Sequence, residues 1–435
     1  MRLGAAWPAL LMTASGTIVA PVADHHQHLL SPAMAVHWSA KPLKAVEVPA
    51  EIAQLLDQRT RAFGDSAALA QLFTEDGLLA IGQRTSWIRG RGPIGAQLAT
   101  KTFARPYRLT PLEYRADGAS AHLAAYLSRG EGDSLRHFGQ ALLALRREGG
   151  SWRIGAETMT FPGVPTYEPI TADSLVALLD AAGIRRAVVL SAAYIYGDPR
   201  NPVSDEYAKV RAENDWTSQQ VKRFPDRLRG FCGVSPLKEY AIAELDRCVT
   251  LGLRGLKLHF ANSLVDVRKL EHVERLREVF RAANERRIPI VAHLWTTDPS
   301  YGREHSEIFL NQILPVAPDI PIQIAHMASA GPRYVEQVDR ALSPLAEAVA
   351  AGDQRTRNLY FDVATNVTIE TPVAEAAMLV RRLRQIGMDR IVYGSDLPVD
   401  GNPAPRQGWA IFRSMLPLTD GEVRKIAKNV APYLR

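Results

Sequence analysis

Cysteine is nearly missing from this chain: Cys232 and Cys248 are the only two in 435 residues. A framework of several disulfides is thereby excluded as a source of stability. Whether those two pair stays open, because sequence alone gives no distance between them and buried free thiols are common. Long apolar runs are missing too. No stretch reaches the ~18 apolar residues that a membrane span needs. Charge of one sign is scarce: 52 Lys and Arg against 46 Asp and Glu leave a formal net charge of only +6. No basic block stands out beyond Arg381-Arg382-Leu383-Arg384, which fits the solvated face of a helix, so nucleic-acid binding is disfavoured. No Gly-x-Gly-x-x-Gly is read after any early strand, and no Gly-Lys-Ser/Thr loop occurs. The usual sequence support for an open, doubly wound nucleotide-binding sheet is therefore lacking. With 46% hydrophobic and 23% charged residues the chain is globular, with room for two folded domains.

What the chain does have is histidine in a spaced pattern. Asp24, His26 and His28 alternate in Val22-Ala-Asp-His-His-Gln-His28, behind the apolar run Thr17 to Val22. On a strand, residues i, i+2 and i+4 share one face, so the two imidazoles can close on one ion. Downstream, β-branched runs alternate with amphipathic helical stretches, the pattern of parallel βα units. Strands are expected at Arg186 to Ser191, Leu228 to Val234, Gly255 to Phe260, Pro289 to His293, Pro321 to His326, Leu359 to Val363 and Arg390 to Ser395. With the strand before His26 that makes eight, which points to a TIM-type (β/α)8 barrel. Barrel enzymes build their sites at the C-terminal strand tips. Here the first strand ends in His26 and His28, the fourth in Lys257 and His259, the fifth in His293, the sixth in His326 and the eighth in Asp396. A lone histidine at such a tip is more often a hydrogen-bonded core residue; five tips carrying ligand-type residues argue for a site.

Between the first strand and the helix Ala172 to Ala182 lie about 140 residues, far beyond the ~2–6 of a βα loop. They read as an inserted domain. Helical periodicity over Pro49 to Phe63 and Ser66 to Phe73 is followed by Leu78 to Ile81, then a helix at Pro93 to Phe103. Strand-like runs come next at Tyr107 to Tyr114, Ala119 to Leu127, Leu135 to Leu145 and Ser151 to Thr160. Helices followed by a meander of strands predict an α+β unit.

The ordered set Asp24-x-His26-x-His28, Gly255-Leu-Lys-Leu-His259, Ile290-Val-Ala-His293, Ile324-Ala-His326 and Tyr393-Gly-Ser-Asp396-Leu-Pro resembles the metal-dependent amidohydrolase superfamily. Its nearest likeness is the amidohydrolase-related branch that includes decarboxylases of the aminocarboxymuconate-semialdehyde type, although some of those carry Glu-x-His where this chain has His26-x-His28. The resemblance implies that His26, His28, His293 and Asp396 bind a divalent metal, with His326 beside it as acid, base or second-site ligand. In the insertion, Ala67-Leu-Ala-Gln-Leu-Phe-Thr-Glu-Asp-Gly77, Arg89-Gly-Arg-Gly-Pro-Ile-Gly95 and Gly150-Ser-Trp-Arg-Ile154 resemble the NTF2-like (SnoaL-like) family, a cone-shaped fold. His122 and His137 are ordinary strand residues there, so a lid or a homodimerisation module is preferred to a second active site. The loop after the first strand leaves from the catalytic face, so the insertion is expected near the site, limiting which substrates enter.

A cation held by three neutral imidazoles and one carboxylate lowers a bound water's pKa towards about 7. Zinc is the leading candidate; manganese, iron and cobalt accept the same donors. Asp396 and His326 are the catalytic candidates, as base and as carbonyl polariser or base. Lys257 and His259 share a parity and should face the barrel axis. Lys257 either binds a substrate carboxylate, or is carbamylated and bridges a second metal as in binuclear relatives, or forms a structural salt bridge. His259, Trp295 and Arg303 are read as substrate-binding, the last two on the loop after the fifth strand, where solvated loop residues are the plain alternative. The expected function is a metal-dependent hydrolase of a small carbonyl compound such as a lactone, ester or amide. The alternatives are a non-oxidative decarboxylase and, in another class, a metal- or ligand-binding protein without turnover.

The start of the chain carries Met1-Arg2, then apolar Leu3 to Met12 interrupted by Pro8, then Ala14-Ser-Gly16. This is the layout of a secretory signal with small residues at the cleavage site. The expected organisation is residues 1–16 a signal peptide, 17–46 and 166–435 the barrel, and 47–165 the NTF2-like insertion. The compartment is periplasmic or secreted, with the cytoplasm as the alternative. The expected partners are a small-molecule substrate and, through the insertion or the barrel, a second copy of the chain.

Overall fold

The computed structural model describes residues 19–39, 43–82, 87–100, 106–130, 135–161, 167–397 and 402–435. The expected signal peptide, residues 1–16, and the start of the apolar run at Thr17 lie outside them. The chain divides into two compact units, one made of residues up to Met34 together with Glu168–Arg435, the other of Ala35–Tyr167.

The first unit is a barrel. Its strands are β1 (Ala23–Gln27), β2 (Arg186–Leu190), β3 (Leu228–Gly233), β4 (Leu256–His259), β5 (Ile290–His293), β6 (Ile322–Ile324), β7 (Leu359–Asp362) and β8 (Ile391–Val392). They pair in chain order as one eight-stranded parallel sheet. β1 starts at Ala23, later than the apolar run suggests. Pro21 has no N–H to give a ladder, and regular pairing begins beyond it. β8 is shorter than expected, yet its continuation closes the barrel against β1. His25 N donates to Tyr393 O at 2.8 Å, Asp396 N to His26 O at 2.7 Å, and His28 N to Leu397 O at 2.8 Å. The ends of the first and last strands that carry His26, His28 and Asp396 are thus hydrogen-bonded to each other.

Helices cover the outside of the sheet because their apolar faces can be buried nowhere else. Leu175, Leu179, Leu276, Phe280, Leu342, Leu345, Leu379 and Leu383 pack with Leu256, Ile290, Ile322 and Phe361 of the strands. The helix Ala172–Ala182 shows the local signals plainly. The Thr171 side chain accepts from Ser174 N at its start, and Gly183 ends it at φ 71°, a conformation that favours glycine. Inside the barrel a separate apolar layer comprises Ala23, Val188, Leu190, Phe231, Val291, Ala325 and Leu434. Cys232 of β3 and Cys248 of the helix Ala241–Thr250 are joined in a buried disulfide, which answers the question their sequence left open.

The second unit is α+β. Its six-stranded sheet runs, in spatial order, Ile88–Arg89, Phe73–Ile81, Ser151–Thr160, Arg136–Glu148, Ser120–Arg129 and Arg108–Asp117. The helices Ala50–Arg61, Ser66–Gln71 and Arg91–Leu98 accompany it. Phe73, assigned to a helix by periodicity, instead opens a strand that reaches Ile81. The polar Thr74-Glu75-Asp76 conceals that strand, and a register irregularity between Phe73 and Leu78 lies there. Gly90-Arg-Gly92-Pro-Ile-Gly95 has the spacing of a dinucleotide loop, but it follows a two-residue antiparallel strand rather than a βαβ unit. Gly95 is needed for packing, since a Cβ there would lie 2.3 Å from Ser66 O. The unit's core contains Ile52, Phe73, Leu79, Ile94, Leu123, Leu143 and Ile154. A buried ion pair sits with it: Arg59 Nη2 meets Glu157 Oε1 at 2.6 Å and the Tyr107 hydroxyl at 3.0 Å. His122 is exposed, and His137 Nδ1 lies 2.7 Å from Ser128 Oγ.

Candidate metal centre

Parallel β pairing sets all the strand tips at one end of the barrel, and the alternation of side chains does the rest. His26 on β1 and His28 just beyond its end turn to the same side with ring centroids 5.5 Å apart. His259 and His293 are register partners on β4 and β5, and their rings stack at 3.9 Å. His326 follows β6, its ring 4.5 Å from His26 and 5.0 Å from His293. Asp396 follows β8, with Oδ1 3.4 Å from His26 Nε2 and 3.5 Å from His28 Nε2, and Oδ2 3.9 Å from His326 Nε2. His26, His326 and Asp396 each offer a ligand atom within 4.8 Å of the others. His326 thus stands with His26 and Asp396 in one group of possible ligand atoms.

The imidazoles are aimed as well as gathered. His26 Nδ1 faces Asp362 Oδ2 at 3.0 Å, His28 Nδ1 the Leu190 carbonyl at 2.7 Å and His326 Nδ1 the Ala364 carbonyl at 2.9 Å. With Nδ1 donating to these fixed acceptors, each Nε2 is left with its lone pair, that of His26 facing Lys257 Nζ at 3.2 Å. His293 Nε2 is buried without a hydrogen-bond partner. Burial holds the pKa of His26, His259 and His293 well below the usual imidazole value, and pushes His28 down to about 3. All four are neutral at pH 7, the state that binds a cation. Burial pushes the Asp396 carboxyl up, and neighbouring His326 and Lys257 oppose that. Neutral imidazole nitrogens gathered around a carboxylate, that of His293 without a partner, fit a divalent metal.

Two residues of the centre adopt backbone that side chains rarely take. His326 lies at φ 52° and Asp396 at φ 53°, at a cost of about 1–3 kcal/mol each. Surrounding bonds hold them there. His326 N donates to Asp362 Oδ1 at 2.8 Å and Asn366 Nδ2 to His326 O at 2.7 Å; Asn402 Nδ2 donates to Asp396 O at 2.6 Å.

Lys257 is buried beside the imidazoles, its Nζ 3.2 Å from His26 Nε2, and burial lowers its pKa to about 8 against the pull of Asp396 and Asp362. Trp295 stands edge-on to His293 at 6.5 Å. Arg303 is not gathered with them: its guanidinium is held on the surface by Glu307 at 2.7 Å and Glu347 at 2.8 Å. The assignment of Arg303 to substrate binding is corrected accordingly, since two carboxylates already occupy its donors.

Sequence reasoning passed over several participants. Asp362 ends β7 and orients both His26 and the His326 backbone; the strand-tip rule applied to a seventh strand finds it. Asp24 does not face the centre. It ties β1 to β8, accepting from Ser395 Oγ at 2.7 Å and Gln27 Nε2 at 2.8 Å. Tyr194, stacked on His259 at 5.1 Å, comes from a turn after β2 that carries no sequence marker.

A family model described as amidohydrolase matches residues 163–431. That span is more than half of the chain, and the protein belongs to the amidohydrolase family. Among solved structures it is similar to a 5-carboxyvanillate decarboxylase from Sphingomonas paucimobilis, at 18% identity, 58% of this chain, 79% of that one and TM-score 0.41. It is also similar to a probable 2-pyrone-4,6-dicarboxylic acid hydrolase from Acinetobacter baumannii, at 16% identity, 62% and 89% coverage and TM-score 0.42. An NTF-2-like protein of Shewanella oneidensis matches 25% of this chain over 96% of its own, at 18% identity and TM-score 0.22. No curated protein matches by sequence.

Proposed function

We propose that the protein is a metal-dependent hydrolase of a small carbonyl compound, with His26, His28, His293 and Asp396 as ligands to one divalent ion, zinc in the first instance. The observation that carries this reading is how Asp396 divides its oxygens, Oδ1 towards His26 and His28 and Oδ2 towards His326. One carboxylate thereby touches both the ligand set and the second acid–base group. A bound divalent ion supplies Lewis acidity, acidifying a water and polarising a substrate oxygen. Asp396 takes the proton from the attacking water through Oδ2 and returns it to the leaving group. His326, its Nδ1 fixed on Ala364 O, offers the Nε2 lone pair as a base on the same proton path. Lys257, His259, Tyr194 and Trp295 line the place where the remainder of a small substrate rests.

The buried cation Lys257 supports decarboxylation as the second reading, because an ammonium beside the centre suits a substrate carboxylate. Turnover of lactones, esters and aromatic carboxylates in 18O-labelled water separates the two. Label in the product is expected; carbon dioxide release without label would sink the hydrolytic reading. Metal content is the first check. Wild type should hold one equivalent of zinc, and His26→Ala and Asp396→Ala should each lose most of it by elemental analysis. The Cys232–Cys248 disulfide further supports export to an oxidising compartment, tested by sequencing the mature N-terminus.

A further inference from the structure

A line of buried hydrogen bonds leads from the centre to the last residues of the chain. The turn Pro432–Leu434 carries Tyr433 into the barrel's apolar interior layer, where its ring stands edge-on to Phe231 at 5.4 Å and to His25 at 6.2 Å. The backbone here is fastened by His25, whose Nε2 accepts from Ala431 N at 3.1 Å. The Tyr433 hydroxyl donates to Oε1 of Gln323. Gln323 is fully buried on β6; its Nε2 donates to Asp362 Oδ2 at 2.5 Å and to the His25 carbonyl at 3.2 Å. Asp362 Oδ2 is the atom that receives His26 Nδ1 at 3.0 Å.

The direction of this chain matters chemically. A glutamine amide offers an acceptor at one end and two donors at the other. Turned one way it supports the Asp362 carboxylate; turned the other it sets oxygen against oxygen. The Tyr433 hydroxyl, donating to Oε1, selects the supporting orientation, and the His25 carbonyl takes the second N–H. Asp362 Oδ1 meanwhile accepts from His326 N at 2.8 Å and Ala364 N at 3.2 Å. The carboxylate is left as an acceptor on both oxygens, and His26 can only present Nε2 to the centre.

We propose that Tyr433 is a positioning residue: acting through Gln323 and Asp362, it fixes the amide that holds His26 in its metal-binding tautomer and angle. This rests on the reading of His26 as a metal ligand. Partners that orient metal-binding imidazoles change metal affinity by roughly 10- to 100-fold. Tyr433 acts two hydrogen bonds beyond Asp362, so the low end, about tenfold, is expected.

The test uses the full chain freed of metal and titrated with zinc against a chromophoric chelator. Tyr433→Phe, which removes one buried oxygen and keeps the ring, should bind zinc about tenfold more weakly. Gln323→Leu, cutting the chain one step nearer, should weaken it at least as much. Phe231→Leu loosens the packing of the same ring but leaves the chain intact, and its zinc affinity should stay within about twofold of wild type. Wild-type affinity in Tyr433→Phe overturns the proposal, and so does an equal loss in Phe231→Leu, which would make the effect one of packing. A wild type that takes up no zinc, or a His26→Ala variant that keeps it, overturns the metal reading itself and is told apart in this way.

Discussion

Glu213 shows how a single side chain makes stability depend on pH. It is buried, Ser31 Oγ donates to its Oε2 at 2.5 Å, and its Oε1 has no partner. Burial pushes its pKa from an ordinary 4.5 up to about 7, with the bond from Ser31 pulling the other way. Between those two values the folded protein keeps a proton that the unfolded chain releases. Stability therefore falls as pH rises from about 4.5 to about 7, then levels off. At about 1.4 kcal/mol per pKa unit the effect is on the order of 3 kcal/mol at most. Glu213→Gln has no proton to lose, so its melting temperature should drop less than that of wild type between pH 5 and pH 8. Equal drops in the two proteins would refute the assignment. Asp362 makes a different point at this scale. Its type and place were visible in Leu359-Tyr-Phe-Asp362, but its role depends on Gln323 and His26, which no spacing rule connects.

At the scale of elements, the weak point is the exit of β8. That strand has two regular residues, and its continuation must carry Asp396 to the centre through contacts with β1. Gly394 permits the approach: a Cβ there would lie 2.7 Å from His26 Cβ and 3.1 Å from Ala364 Cβ. Gly394→Ala should push the two chain segments apart, destabilise the fold by about 1–3 kcal/mol and lower zinc affinity through the lost Asp396 N to His26 O bond. Gly421→Ala, whose Cβ meets only Thr419 Oγ1 at 3.8 Å, is the control and should do neither. Retained metal affinity in Gly394→Ala would show that the strand exit yields without moving Asp396. Most elements were legible because each rests on local periodicity. The ends of β1 and of the strand Phe73–Ile81 were not, since a proline, a bulge and polar residues blur the period at those places.

For the molecule as a whole, the disulfide is the only covalent link across the barrel unit. It closes a loop of 16 residues between β3 and the following helix. In the loop-entropy picture such a link is worth about 3 kcal/mol. Cys232→Ala/Cys248→Ala should unfold at correspondingly lower denaturant, and reducing agent should leave that variant unchanged while bringing wild type towards it. Two free thiols titrated in unreduced, denatured wild type would mean that the link does not form. The division into a barrel and an α+β unit was readable from a connection far too long for a βα loop, whereas its boundaries near Ala35 and Tyr167 depend on which contacts each segment makes.

The sequence by itself determined the types of donor at the centre and the order of the strands that carry them, because residue chemistry and hydrophobic period are local properties. Only the tertiary structure decided where the lone pairs point. The nitrogen that each imidazole shows to the centre depends on what its other nitrogen donates to, and those acceptors, Leu190 O, Asp362 Oδ2 and Ala364 O, belong to neighbouring strands brought alongside by barrel closure.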